Sequence, residues 1–258
     1  MDSWVDGWRA WLGRWFGTAP AVPPHLRKPI VRRHGRTIEL QFVRGVSQSQ
    51  MVTRDPDRLF IDYTRTMLGA LVLMPRPACI GMVGLGGGSQ AKYCYRHLPD
   101  ARIEVVENNP HVLALRRRFH VPDDDARFQV FLEDGAAFLR ERPGRYDLLL
   151  VDGYDETGIP EALSSQSFHD DCRAALTSRG VLATNLYCGN AAMHIERLRC
   201  AFGSDRVVVI EEARQSNRVA FAWVGNGMSL GEEMALSTYG QRDLAQVFEV
   251  ARGALAAR

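Results

Sequence analysis

The sequence predicts an α/β fold: a seven-stranded, mostly parallel, doubly wound sheet with a small N-terminal β appendage. Three observations predict it. From Ala78 onward, short apolar runs alternate with helix-length segments. A glycine turn, Gly84-Leu-Gly-Gly-Gly88, stands between the apolar run Ala78–Val83 and a helix over Ser89–Leu98. The following strand, Arg102–Glu107, ends in a carboxylate 23 residues after Gly84. A strand, a glycine turn, a helix and a strand ending in an acid form the nucleotide-binding half of an open α/β sheet.

Taken in order, residues 1–27 read as an amphipathic helix and a linker. Trp4, Trp8, Trp11 and Trp15 recur at helical spacing. That stripe suits packing on the body or on a second copy; contact with a membrane surface is the sharper alternative. Ala19 to Pro29 holds four prolines and reads as linker. Residues 28–75 form a small β-strand domain and an entry helix. Thr37–Val43 alternates at period two, Val46–Val52 is its hairpin partner, Asp55-Pro-Asp57 turns, and Thr64–Met74 is helical until Pro75. Residues 76–258 form the sheet domain. After the glycine turn come strands at Phe128–Leu132, Tyr146–Val151, Gly180–Leu186, Arg206–Glu211 and Val219–Val224, the last two antiparallel. Tyr146–Val151 is almost wholly apolar, as a parallel strand covered on both faces requires. Helices are expected at Ala136–Arg142, Gln166–Leu176 and Gly240–Ala257, and Asn109 caps a helix with Pro110 at its first position. Seven strands with an antiparallel last pair fit the S-adenosylmethionine-dependent methyltransferase sheet better than a dinucleotide dehydrogenase. The third glycine of a dehydrogenase fingerprint would fall at Ser89.

Bulk properties narrow the function classes. Of 258 residues 46% are hydrophobic, enough for one large domain or a core domain with an appendage. Lys plus Arg total 32 against 30 Asp plus Glu, so nothing calls for nucleic acid. Five cysteines without CxxC spacing read as free thiols of a reducing compartment, which points to the cytoplasm. No apolar run reaches the roughly 20 residues of a membrane span, and no signal peptide is expected.

Ligands of such sheets bind outside the carboxyl ends of the strands. Gly84, Gly86, Gly87 and Gly88 let backbone approach a ligand, and the helix N-terminus after them offers free N–H groups. Glu107 is placed to accept hydrogen bonds from ribose hydroxyls. Asp134, followed by Gly135, is placed to accept from an adenine amino group. Asp152 and Asp155 follow the buried strand and make an acidic pocket for a cationic substrate, one of them acting as a base toward an amine. Asp155 in a plain turn is the competing structural reading. Gly153, Gly158 and Pro160 suggest a loop able to close over the site.

These residues together resemble the spermidine synthase (polyamine aminopropyltransferase) family. The resemblance rests on Val83-Gly-Leu-Gly-Gly-Gly-Ser89, Val105-Val-Glu-Asn108, Glu133-Asp-Gly135, Tyr146–Asp155, Leu163–Phe168, Gly180–Asn185 and Asp62-Tyr-Thr-Arg-Thr-Met67, and covers roughly residues 36–225. It implies a decarboxylated S-adenosylmethionine donor, a small amine or polyamine acceptor and no metal; a homodimer is expected from the tryptophan stripe. It implies that Asp152 activates the acceptor amine, Asp155 contacts the cationic substrate, Glu107 holds the ribose and Asp134 the adenine. A donor-contacting glutamine of the small domain would be Gln50 or Gln48. Three positions depart from the family pattern. Ser89 replaces the usual aspartate after the glycines, Thr64-Arg65 replaces a His-Glu pair, and Asp152-Gly-Tyr-Asp155 replaces an Asp-Ser-Ser/Thr-Asp. Methyl transfer from S-adenosylmethionine to a small or cationic substrate therefore stands as the alternative, and a non-catalytic member that acts by binding as the second.

Overall fold

The computed structural model describes residues 22–154, 158–187, 189–212, 217–225 and 235–257. The tryptophan stripe and Asp155 lie outside the described residues.

A three-stranded antiparallel sheet leads the chain: β1 (Ile30–His34), β2 (Thr37–Gln41) and β3 (Ser49–Val52), in that order. Thr37–Gln41 and Ser49–Val52 pair as the alternation predicts, although each strand is shorter than expected. The tight Val43/Val46 bridge explains the shortening, since it closes a loop around Gly45 at a positive φ. One face of this sheet carries buried Leu40, Ser49 and Met51. The other carries Glu39 and Gln50, which face each other across the strands.

The entry helix is shorter than its composition suggests. Regular α-helix covers α1 (Asp62–Met67) and tightens into a 3-10 segment over Leu68–Val72 before Pro75. Met67, Leu68, Leu71 and Val72 are wholly buried there.

The main sheet has seven strands: β4 (Cys79–Val83), β5 (Arg102–Glu107), β6 (Phe128–Leu132), β7 (Tyr146–Val151), β8 (Leu176–Leu186), β9 (Val207–Glu211) and β10 (Arg218–Trp223). Their spatial order is β6-β5-β4-β7-β8-β10-β9. Pairs from β6 to β8 are parallel, and β10 runs antiparallel to both β8 and β9. The helices α2 (Ser89–His97), α3 (Pro110–Leu113), α4 (Gly135–Arg140), α5 (Gln166–Ala175), α6 (Ala191–Phe202), α7 (Thr238–Asp243) and α8 (Ala245–Ala256) join and flank the strands. Two apolar cores result, one on each face of the sheet, as a doubly wound sheet requires.

Two further differences from the sequence reading lie in the main sheet domain. The chain turns to strand at Leu176, four residues before Gly180. Tyr146 pairs with Leu176 but Leu148 pairs with Val181, so residues 177–180 are taken up in a bulge. The C-terminal helix breaks at Leu244 into α7 and α8, where wholly buried Leu244 meets the core. Asn109 caps α3 as expected, its side chain accepting from the amides of His111 and Val112. No helix among the described residues is long and apolar enough to cross a membrane.

The topology fixes the site. Strand β4 lies between β5 and β7, so consecutive connections leave it in opposite directions and a crevice opens at its carboxyl end. Gly84, Glu107 and Asp152 all end strands at that crevice.

Candidate active site

The glycine turn folds by necessity rather than preference. Gly84 has φ +93°, and a Cβ there would collide with the carbonyl oxygen of Asp152 on the next strand. Gly88, at φ +66°, caps α2, and a Cβ there would strike Val121. Both positions therefore exclude side chains on conformation and on space. The small sheet closes the turn from outside: Ser49 of β3 lies against Gly87 and near Gly86. Gln50 is on the opposite face, its amide donating to Glu39 at 3.2 Å. The candidate Gln50 is thus turned away from the glycines, and the residue of β3 that meets them is Ser49. Which parity of β3 faces inward depends on its register with β2, and the sequence alone leaves that open.

Glu107 is held by backbone. One of its oxygens accepts from the amide of Leu85 in the glycine turn at 3.0 Å, and the other from the amide of Asn109 at 2.9 Å. Burial pushes its carboxyl above the ordinary range, and amides of Leu85, Asn109, Gly86 and Asn108 pull it back. An ionised carboxylate offers about four acceptor positions. Two oxygens already fixed by backbone still leave lone pairs for a diol.

Asp134 caps α4: one of its oxygens accepts from Ala136 at 3.0 Å and Ala137 at 2.9 Å. The residue is exposed at the end of β6, and Gly135 packs against Val83 so closely that a Cβ would crowd it. The cap occupies one oxygen of the carboxylate.

Asp152 is built differently. One oxygen accepts from the phenol of Tyr63 on α1 at 2.9 Å, the other from the amide of Asn185 at the end of β8 at 2.9 Å. Burial raises its carboxyl pKa, and the bonds from Asn185 and Tyr63 oppose that rise. Burial also pushes the Tyr63 phenol well up, with the Asp152 charge adding to it, so Tyr63 stays a donor. The loop after Asp152 is pinned by Tyr154, whose hydroxyl donates to the Asn185 carbonyl at 2.8 Å and accepts from the Tyr187 amide at 2.6 Å. Behind it lies a small cavity lined by Tyr154, Cys172, Thr184, Asn185 and the histidines His169 and His194.

Tyr63 and Asn185 received no role from sequence alone. Their signals were faint: a tyrosine in the first turn of the entry helix, and a polar residue ending an apolar strand. The Thr64-Arg65 departure is absorbed by the fold. Arg65 donates to the Leu59 carbonyl at 2.8 Å and pairs with Asp243 at 3.3 Å.

A crevice at the switch point of an open α/β sheet, with a glycine turn, a carboxylate held by that turn's amides and a second carboxylate ending the next strand, is the ligand-binding arrangement of doubly wound α/β proteins. The comparisons narrow the class. The model of the spermine/spermidine synthase domain matches residues 62–197. A polyamine aminopropyltransferase of Chromobacterium violaceum is 37% identical over 196 residues, 75% of each chain. Among solved structures, a probable spermidine synthase from Corynebacterium glutamicum superposes with a TM-score of 0.66 at 17% identity, covering 88% of this chain and 91% of that one. A spermidine synthase in complex with the transition-state analogue AdoDATO does so at 0.58 and 17%, covering 90% and 89%. At such identities the structures show the fold alone. The family match and the Chromobacterium relative show that this chain belongs to the spermine/spermidine synthase family, a family of transferases.

Proposed function

We propose that this protein transfers the aminopropyl group of decarboxylated S-adenosylmethionine to the amine of a small polyamine-type acceptor, with Asp152 as the base. The observation that carries the reading is the placement of Asp152. It sits one strand from the glycine turn, with each oxygen fixed by one donor and its carboxyl raised by burial. The adenosine of the donor would lie over Gly84–Gly88, its ribose on Glu107 and its adenine on Asp134.

The chemistry follows from the groups. An ammonium is no nucleophile, so the acceptor must lose a proton first. Asp152 takes it, the freed nitrogen lone pair attacks the propyl carbon next to sulfur, and the C–S bond breaks. The sulfonium leaves as a neutral thioether, methylthioadenosine. A raised carboxyl pKa narrows the gap to the amine and makes the transfer less uphill. Because the leaving group is already a cation, the reaction calls for no metal. Asp155 would add a second carboxylate for the acceptor's remote ammonium. The relatives named as polyamine aminopropyltransferases support this reading over methyl transfer. We further propose a cytoplasmic homodimer: buried Cys94 and Cys172 are free thiols, and the tryptophan stripe of residues 4–15 suits a second copy.

The test is product analysis. Purified protein with decarboxylated S-adenosylmethionine and a panel of diamines and polyamines is expected to yield methylthioadenosine and an acceptor heavier by one aminopropyl unit. Methylated acceptor formed from intact S-adenosylmethionine, with no aminopropyl product, would overturn the reading.

A further inference from the structure

We propose that Asn217 is a positioning residue for Asp152, acting through Asn185: it holds the Asn185 amide with its NH2 group turned toward the carboxylate. This inference rests on the reading of Asp152 as the base.

The argument runs along one face of β8 and β10. Val219 pairs with Asn185 in the antiparallel ladder, so Asn217, two residues earlier, is the diagonal neighbour of Asn185 on the same face. The Asn217 amide donates to Asn185 Oδ1 at 2.9 Å, and the Asn185 amide donates to Asp152 Oδ1 at 2.9 Å. Both asparagines are buried, at 8% and 4% exposure, so water is a poor substitute for either bond. The directions are dictated rather than chosen. An ionised Asp152 only accepts, so Asn185 must present NH2 to it. Its carbonyl oxygen then faces Asn217, which must present NH2 in turn. Without the Asn217 donor, a buried amide oxygen is left unpaired and Asn185 is free to rotate its oxygen toward the carboxylate. That orientation favours protonated Asp152.

Asn217 is itself anchored: its carbonyl accepts from the Glu212 amide at 3.0 Å. The neighbouring Arg218 turns to Glu211 at 3.0 Å and does not bear on the chain of amides. Among the described residues, Tyr63 of α1 is the titratable group bonded to Asp152, and Tyr154 of the loop acts on Tyr63. Neither asparagine carries charge, so a change at Asn217 reaches Asp152 through orientation and not through a new charge.

The test reads Asp152 directly. Its side-chain 13C carboxyl resonance, assigned by its loss in Asp152→Asn, is titrated in the wild type, Asn217→Leu, Asn185→Leu and the double variant. Asn217→Leu is expected to move the midpoint up by about 0.5–1 pH unit, the scale for losing one donor to a carboxylate. The double variant is expected to match Asn185→Leu alone, because Asn217 acts only through it. An unmoved midpoint in Asn217→Leu, or a shift that adds to that of Asn185→Leu, would overturn the proposal. Where Asn217→Leu fails to fold, Asn217→Ala is read the same way. The turnover of Asp152→Asn tests the base separately, so a failed base and a failed relay give different results.

Discussion

The two walls of the crevice hold their carboxylates by different means. Glu107, on the donor wall, is fixed by backbone amides of the glycine turn and of its own strand end. Asp152, on the acceptor wall, is fixed by side chains 89 and 33 residues away in the chain. A backbone cradle tolerates side-chain drift so long as the turn keeps its shape. A side-chain cradle can be retuned one residue at a time. On the proposed reading the donor wall would serve one constant ligand, the adenosine, and the acceptor wall would allow adjustment of a base and its substrate. Ser89 and Arg65 fit that division: positions beside the cradles have changed, yet the turn, Glu107 and Asp152 remain.

The contrast can be broken at several points. Asp152→Asn is expected to lower turnover at least about a hundredfold, the lower range for removing a general base, with little change in donor affinity. Steady-state kinetics beside calorimetry would check it, and unchanged turnover would remove Asp152 from its role. Gly84→Ala should cost about 1–3 kcal/mol from its positive φ alone. The collision with the Asp152 carbonyl adds to that, so one substitution should damage both walls, visible as a lower unfolding midpoint and lost activity. Glu107→Ala should weaken a nucleoside ligand by roughly 1–3 kcal/mol while sparing the titration of Asp152. Equal affinity would place the ribose elsewhere.

The smallest effect is a matter of pH. Burial first, then His169 and Arg197, lower the His194 pKa from 6.5 to about 4 behind the acceptor wall. The unfolded chain therefore takes up this proton before the native one does. Its contribution to stability is whole above pH 6.5 and is lost as pH falls toward 4. Denaturant titrations across that range should show a shallower acid loss in His194→Leu. The donor wall, which has no such histidine pair behind it among the described residues, should keep its nucleoside affinity in that variant.

The same division explains what could be read from sequence. The glycine turn, Glu107 and the parallel strands announce themselves within a stretch of about 30 residues, because a βαβ unit is a local object. The strand pattern likewise predicts the seven-stranded sheet with its antiparallel final pair. Tyr63 and Asn185 meet Asp152, and Asn217 meets Asn185, only after three distant elements have docked, and polar residues at strand and helix ends are too common to single out. Gln50 stands away from the glycines for a narrower reason: a one-residue change of parity exchanges the two faces of a strand, and Ser49 is the residue that lies against them. Asp134 shows the opposite case, since its cap on α4 was legible in Asp-Gly followed by a helix yet went unassigned.

The most direct test of the account is a calorimetric comparison of decarboxylated and intact S-adenosylmethionine binding to the same preparation. An aminopropyltransferase is expected to bind the decarboxylated form more tightly, even with serine at position 89. Tighter binding of the intact form would contradict the proposed reaction and assign the crevice to methyl transfer.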